Sequence, residues 1–99
     1  MARREVRVAE SFFEELDRQL PSDRGAHGEP SATDFLLIDL PAIADEFAAR
    51  FDELPPAAPG VSSIRMFLGS AVLVPAVVVH GVEVTDGIVH LVGVEIDAG

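Results

Sequence analysis

The 99-residue chain contains no cysteine, no lysine, no tryptophan and no tyrosine. Without cysteine, disulfide scaffolds, cysteine-based zinc sites and thiol catalysis are excluded. Long hydrophobic runs are missing as well. The longest, residues 71–79, falls far short of the roughly 20 residues that a bilayer-spanning helix needs. The opening Met-Ala-Arg-Arg-Glu-Val-Arg carries basic residues with no apolar run behind them. No secretory signal is evident there, and a soluble cytoplasmic protein with no membrane association is expected. The length leaves no room for a second core, so residues 1–99 are expected to form a single domain.

Positive charge is scarce. Seven arginines face 17 acidic residues, for a net charge of −10. Residues 1–60 hold 13 acidic and 6 basic side chains, and residues 61–99 hold 4 and 1, so neither part offers a cationic patch. Binding that depends on neutralising many phosphates is therefore disfavoured, and direct contact with nucleic acid is not expected. The acidic balance suits solubility and a basic protein partner. Against this, 48% of the residues are hydrophobic and the mean hydropathy is +0.31, too apolar for a disordered chain.

Residues 5–10 alternate, with Val6 and Val8 on one side, which predicts a short strand with one buried face. Ser11 followed by Glu14 has the spacing of a capping box, and Phe12, Leu16 and Leu20 then recur at helical spacing up to Pro21. Residues 21–33, with two prolines and two glycines and no large apolar side chain, predict a mobile loop in which His27 is solvated. Ser31 or Thr33 is placed to cap a second helical region. Within it Pro41 either begins a new helix or kinks a continuous one. Ile43, Phe47, Phe51 and Leu54 give that region its apolar stripe before Pro55-Pro56 ends it.

From residue 61 the chain turns to Val, Ile and Leu punctuated by Gly, and residues 61–97 read as a three-stranded meander. Gly69-Ser70 and Asp86-Gly87 stand where two-residue hairpin turns would fall. The expected fold class is α+β, in the order β-α-α-β-β-β, with two N-terminal helices packed on one face of a twisted antiparallel sheet. A type I′ turn at Asp86-Gly87 would pair Thr85 with Ile88, Glu83 with His90 and Val79 with Val94. A matching turn at Gly69-Ser70 would pair Met66 with Leu73. With those registers Ile64, Met66, Leu68, Leu73, Val77, Val79, Val92, Val94 and Ile96 face the helices. The opposite face collects Arg65, Phe67, Val72, Val74, Val78, His80, Val82, Leu91 and Glu95.

That second face is too apolar to be left bare to water. Three covers are consistent with it: a local segment such as the 21–33 loop, a homodimer or other protein partner, or a ligand. Phe67, Val72, Val74, Val78, Val82 and Leu91 are the interface candidates. Pro75, which has no N–H to donate, implies a bulge or an edge in the middle strand and a shift of facing by one residue.

Chemistry is sparse. No glycine lies in a phosphate-binding loop pattern, and the three histidines make no metal-ligand spacing, so neither cofactor nor metal is expected. His90 opposite Glu83 reads as a cross-strand charge pair. Arg65 and His80 are the candidate catalytic residues, as a cation beside a general base or acid. Ser11 has no base near it in sequence, and no nucleophile–base arrangement assembles.

The stretch Val6-Arg7-Val8-Ala9-Glu10-Ser11-Phe12-Phe13-Glu14-Glu15-Leu16, the strand Ser63-Ile64-Arg65-Met66-Phe67-Leu68 and the run Ile88-Val89-His90-Leu91-Val92-Gly93-Val94 together resemble the RelE/ParE-like toxin superfamily of toxin–antitoxin pairs. The resemblance implies a bacterial chain, a sheet with two helices on one face, and an antitoxin as partner. Where members of that family cleave ribosome-bound messenger RNA they use basic and aromatic residues on the open face, a position type that Arg65 matches. With no lysine, no tyrosine and a net charge of −10, the resemblance implies a divergent member acting through protein contacts more than through nuclease chemistry, for which cations are needed. The alternative is a non-enzymatic domain that homodimerises through the apolar face.

Overall fold

In a computed structural model, which describes residues 3–23, 25, 28 and 30–97, a single core cluster is enclosed between helices and one sheet. The chain runs through strand β1 (Glu5–Val8), helix α1 (Glu10–Gln19), a helical run over 32–53 that we call α2, and strands β2 (Pro56–Ala58), β3 (Val61–Gly69), β4 (Ala76–Thr85) and β5 (Ile88–Asp97). The sheet has the order β1-β5-β4-β3-β2. β2 to β5 form an antiparallel meander, and β1 joins its far edge parallel to β5.

This corrects the expected β-α-α-β-β-β antiparallel arrangement in two ways. The sheet is mixed, because the first strand lies parallel to the last, a pairing between chain segments so distant in sequence that no local turn signals it. It also has a fifth strand. Pro55-Pro56-Ala-Ala-Pro59 reads as a helix stop and a turn, yet Pro56 pairs with Arg65 and Ala58 with Val61. β2 is an edge strand, where a proline's missing donor costs nothing in the ladder.

α1 buries Phe12, Leu16 and Leu20, the stripe its spacing predicts. Its cap differs from expectation: Ala9 is the N-cap residue, and Ser11 turns outward to donate from Oγ to the Val92 carbonyl at 2.8 Å. α2 starts with a capping box in which Ser31 Oγ accepts from the Asp34 amide and Asp34 accepts from the Ser31 amide. It does not divide at Pro41. A wide π-type segment, Phe35–Asp39, precedes the α-helical Leu40–Arg50, and the Leu40 amide reaches back to the Phe35 carbonyl. The widening accommodates a residue that lacks an amide hydrogen and whose ring crowds the preceding turn. α2 contributes Phe35, Leu40, Ile43, Phe47 and Phe51 to the core, against Val77, Val79, Val89, Leu91 and Val94 of the sheet. Burial of each such side chain stabilises the fold by about 1.5–3 kcal/mol.

The mobile loop expected over 21–33, with its His27, falls partly on residues 24, 26, 27 and 29, which lie outside the described residues. The Ala32 amide donates to the Pro21 carbonyl at 2.8 Å, joining the two ends of that segment.

Both hairpin registers depart from expectation. At Asp86-Gly87 the only left-handed residue is Gly87, at φ 85°, so the turn is not type I′, which needs positive φ at both central residues. Thr85 pairs with Ile88 as expected, but a bulge at Val84 then sets Glu83 against Val89 and Val82 against His90. A second bulge on β5, with Gly81 opposite Leu91 and His80 opposite Gly93, restores the register, and Val79 faces Val94. Between β3 and β4 there is no two-residue turn. Leu68 pairs with Val78 and Gly69 with Val77, so residues 70–75 form a longer loop. The buried Asp39 carboxylate of α2 holds that loop, accepting from the amides of Val72 at 2.9 Å and Leu73 at 3.0 Å.

Candidate interaction face

The register places each of the sequence-derived site residues. Arg65 pairs with Gly81 and Phe67 with Val79, both on the helix-covered side, whereas Met66 pairs with His80 on the open side. Arg65 and His80 therefore belong to opposite faces of the sheet and share no cleft. The Arg65 guanidinium is spent on backbone: Nε donates to the Ser62 carbonyl and Nη1 to the Leu54 carbonyl, each at 2.9 Å, with the Phe51 ring beneath it. Its role in the fold is to tie β3 to the end of α2.

Of the interface candidates, Val78 and Val82 lie on the open face. Phe67 packs against the core, and Val74 and Leu91 are fully buried within it. Leu91 changes sides because the β5 bulge reverses the alternation of that strand, and Val74 because it sits in the 70–75 loop tucked under α2. Val72, in the same loop, is 82% exposed but stands apart from the sheet face.

The open face consists of Ile64, Met66 and Leu68 of β3, Val78, His80 and Val82 of β4, and Ile88 and His90 of β5, with Glu95 and the β1 residues Glu5 and Arg7 at its margins. None of these side chains is fully buried, while on the other face Val77, Val79, Val89, Leu91 and Val94 all are. Among the described residues, helices cover one side alone. The alternation of Ile64, Met66 and Leu68 marks a shared face, but the longer loop over 70–75, in place of a two-residue turn at Gly69-Ser70, puts that face on the open side.

Charge around this face is negative. Glu95, opposite Val78, is exposed. Glu15 of α1 reaches the sheet at Gly93, where a Cβ would lie 3.4 Å from Glu15 Oε2 and 3.5 Å from His80 Nδ1, so the absent side chain leaves room for both. Among the described residues Arg7 is the arginine of the face, and it is paired with Glu5. The expected His90–Glu83 pair does not form. The Val84 bulge sets Glu83 opposite Val89 on the helix side and leaves His90 on the open side; the Glu83 Oε2 accepts from Arg4 Nε at 2.7 Å and from the Gly87 amide at 3.0 Å. The hydrogen bond from Arg4 holds the Glu83 carboxyl below the usual carboxylate range and raises the Arg4 guanidinium, with partial burial opposing both shifts.

Clefts away from the face include two beside α2. One of about 370 Å³ runs between Arg3, Arg4, Arg50, Phe51, Glu83 and Gly87. Its arginines are already matched, Arg3 by Asp45, Arg4 by Glu83 and Asp52, and Arg50 by Glu46. The other, about 290 Å³, lies between α2 and the 70–75 loop beside Asp39. Among the described residues no three histidine or carboxylate side chains come together as metal ligands. No described helix is long and apolar enough to cross a membrane. Comparisons of the chain with family models, with curated proteins and with solved structures found no match.

Proposed function

We propose that this chain acts by binding another protein across its open sheet face, as a divergent, toxin-like relative of the RelE/ParE-like superfamily working by contact instead of catalysis. The observation that supports this reading is the uncovered face itself. Met66, Val78 and Val82 form an apolar surface on a sheet whose other side is closed by helices, and such patches mark interaction sites. Nuclease chemistry finds little to work with there. Stabilising a phosphodiester transition state calls for free cations aimed at the developing charge. On this face the arginine is paired with a carboxylate, and Arg65 lies on the far side bonded to carbonyls.

Induced expression in a bacterial host, followed by growth, tests the proposal. Growth arrest that survives His80→Ala and is abolished by Val82→Asp is the expected result. Arrest lost in His80→Ala together with fragmented messenger RNA would replace binding by catalysis, and an absence of any growth effect would remove the toxin-like role.

A further inference from the structure

Resting on that protein-binding role, we infer that the occupant of the open face is a cationic amphipathic segment of a different protein, its apolar side on Met66, Val78 and Val82 and its basic residues on Glu15 and Glu95. Two observations carry this choice. The first is local. The apolar strip is bordered by Glu95 and by the Glu15 carboxylate over Gly93, and among the described residues the arginine on the face, Arg7, is neutralised by Glu5. A partner meets an oily centre with unmatched negative charge beside it.

The second is global. The chain carries a net charge of −10, and Arg3, Arg4, Arg7 and Arg50 are all engaged by carboxylates of the same chain. A second copy laid on this face brings like charges together, which costs association energy and slows encounter. Lysine or arginine flanking an apolar stripe reverses the sign of both effects. Short-range burial then supplies affinity, and the rim charges supply orientation and a dependence on salt.

The test uses the full chain and two synthetic amphipathic peptides, one of leucine and lysine, the other of leucine and glutamate, with binding followed by fluorescence anisotropy. The leucine–lysine peptide is expected to bind, the leucine–glutamate peptide to show no binding. The double variant Met66→Gln/Val82→Thr, which keeps side-chain volume and strand preference, is expected to weaken binding about tenfold, and Glu95→Lys to weaken it by a similar factor that disappears at high salt. Thermal unfolding of each variant verifies that it is folded. Equal binding by wild type and the double variant would reduce the interaction to unspecific charge and overturn the inference; so would equal binding of the two peptides. Light scattering that finds a dimer split by Val82→Thr would make a second copy the occupant. That result, or a failed peptide experiment beside intact growth arrest, rejects the partner's chemistry while leaving the binding role of the face standing.

Discussion

Gly81 lies directly under the ring of Phe47: a Cβ on the glycine would stand 2.5 Å from the ring's Cε1 and 3.1 Å from a methyl of Val89. This close approach seats α2 on the middle of β4. Gly81→Ala must push the fully buried Phe47 ring away from β4. A loss of about 1–3 kcal/mol is expected, read as a melting temperature lowered by several degrees in a circular-dichroism thermal scan. An unchanged melting temperature would mean that helix and sheet are less closely seated.

Asp39 makes a second prediction. Its buried carboxylate receives the Val72 and Leu73 amides and so fixes the 70–75 loop against α2. Removing it in Asp39→Ala leaves two donors without their acceptor, at a cost of about 1–3 kcal/mol for each one that water does not reach. Asp39→Asn keeps one acceptor oxygen and should fall between. Urea unfolding midpoints ranking wild type, Asn and Ala in that order would agree; an Ala midpoint equal to wild type would show the loop held by other means.

The dependence on acid follows from Glu83. Its carboxyl is depressed in the folded chain, chiefly by the hydrogen bond from Arg4. A depressed acid contributes stability that is present above its unfolded-state value and is lost as pH falls through the folded one. Stability should therefore decline on acidification below the ordinary carboxylate range, and Glu83→Gln should flatten part of that decline while lowering stability at neutral pH. Denaturant titrations across the acid range decide it, and parallel curves for the two proteins would exclude Glu83 from the linkage.

The outer edge of β5 yields a fourth expectation. β1 pairs with β5 only as far as Leu91. Beyond that point the Ala9 amide donates to the Leu91 carbonyl, Ser11 Oγ to the Val92 carbonyl and Gln19 Nε2 to the Val94 carbonyl, while Gln19 Oε1 accepts from the Ile96 amide at 2.7 Å. Side chains of a helix thus stand in for the missing strand. Gln19→Ala should cost about 1 kcal/mol and speed amide exchange at Ile96 selectively. Exchange at Ile96 that does not change would place its protection elsewhere.

How far the sequence discloses this fold is clearest along β4 and β5. A single register drawn from the Asp86-Gly87 turn is right at Thr85–Ile88 and again at Val79–Val94, yet wrong by one residue between them. The two bulges lie on opposite strands and cancel, so neither end betrays the fault, while Leu91 and His90 change sides. Bulges depend on how a strand must bend to meet its neighbours, and alternation of residue types does not record that. Helix faces are local and legible: Phe12, Leu16, Phe47 and Phe51 are buried as their spacing requires. β1 beside β5 and the proline-flanked β2 are long-range or weak pairings, with no signal in a single sequence. For the candidate site, the existence of a bare apolar face could be read in advance, and Val78, His80 and Val82 with it. Met66 and Ile64 could not, because the loop length between β3 and β4 decides their side.

The lateral bonds made by Ser11 and Gln19, with a four-residue β1 and a three-residue β2 at the two rims, leave the sheet little backbone from which another chain might extend it. Under the proposed binding role, recruitment is steered from the rims to the flat of the sheet, a surface that a single guest would use up. Assemblies built by this protein should accordingly be small and of fixed stoichiometry, and not open-ended filaments.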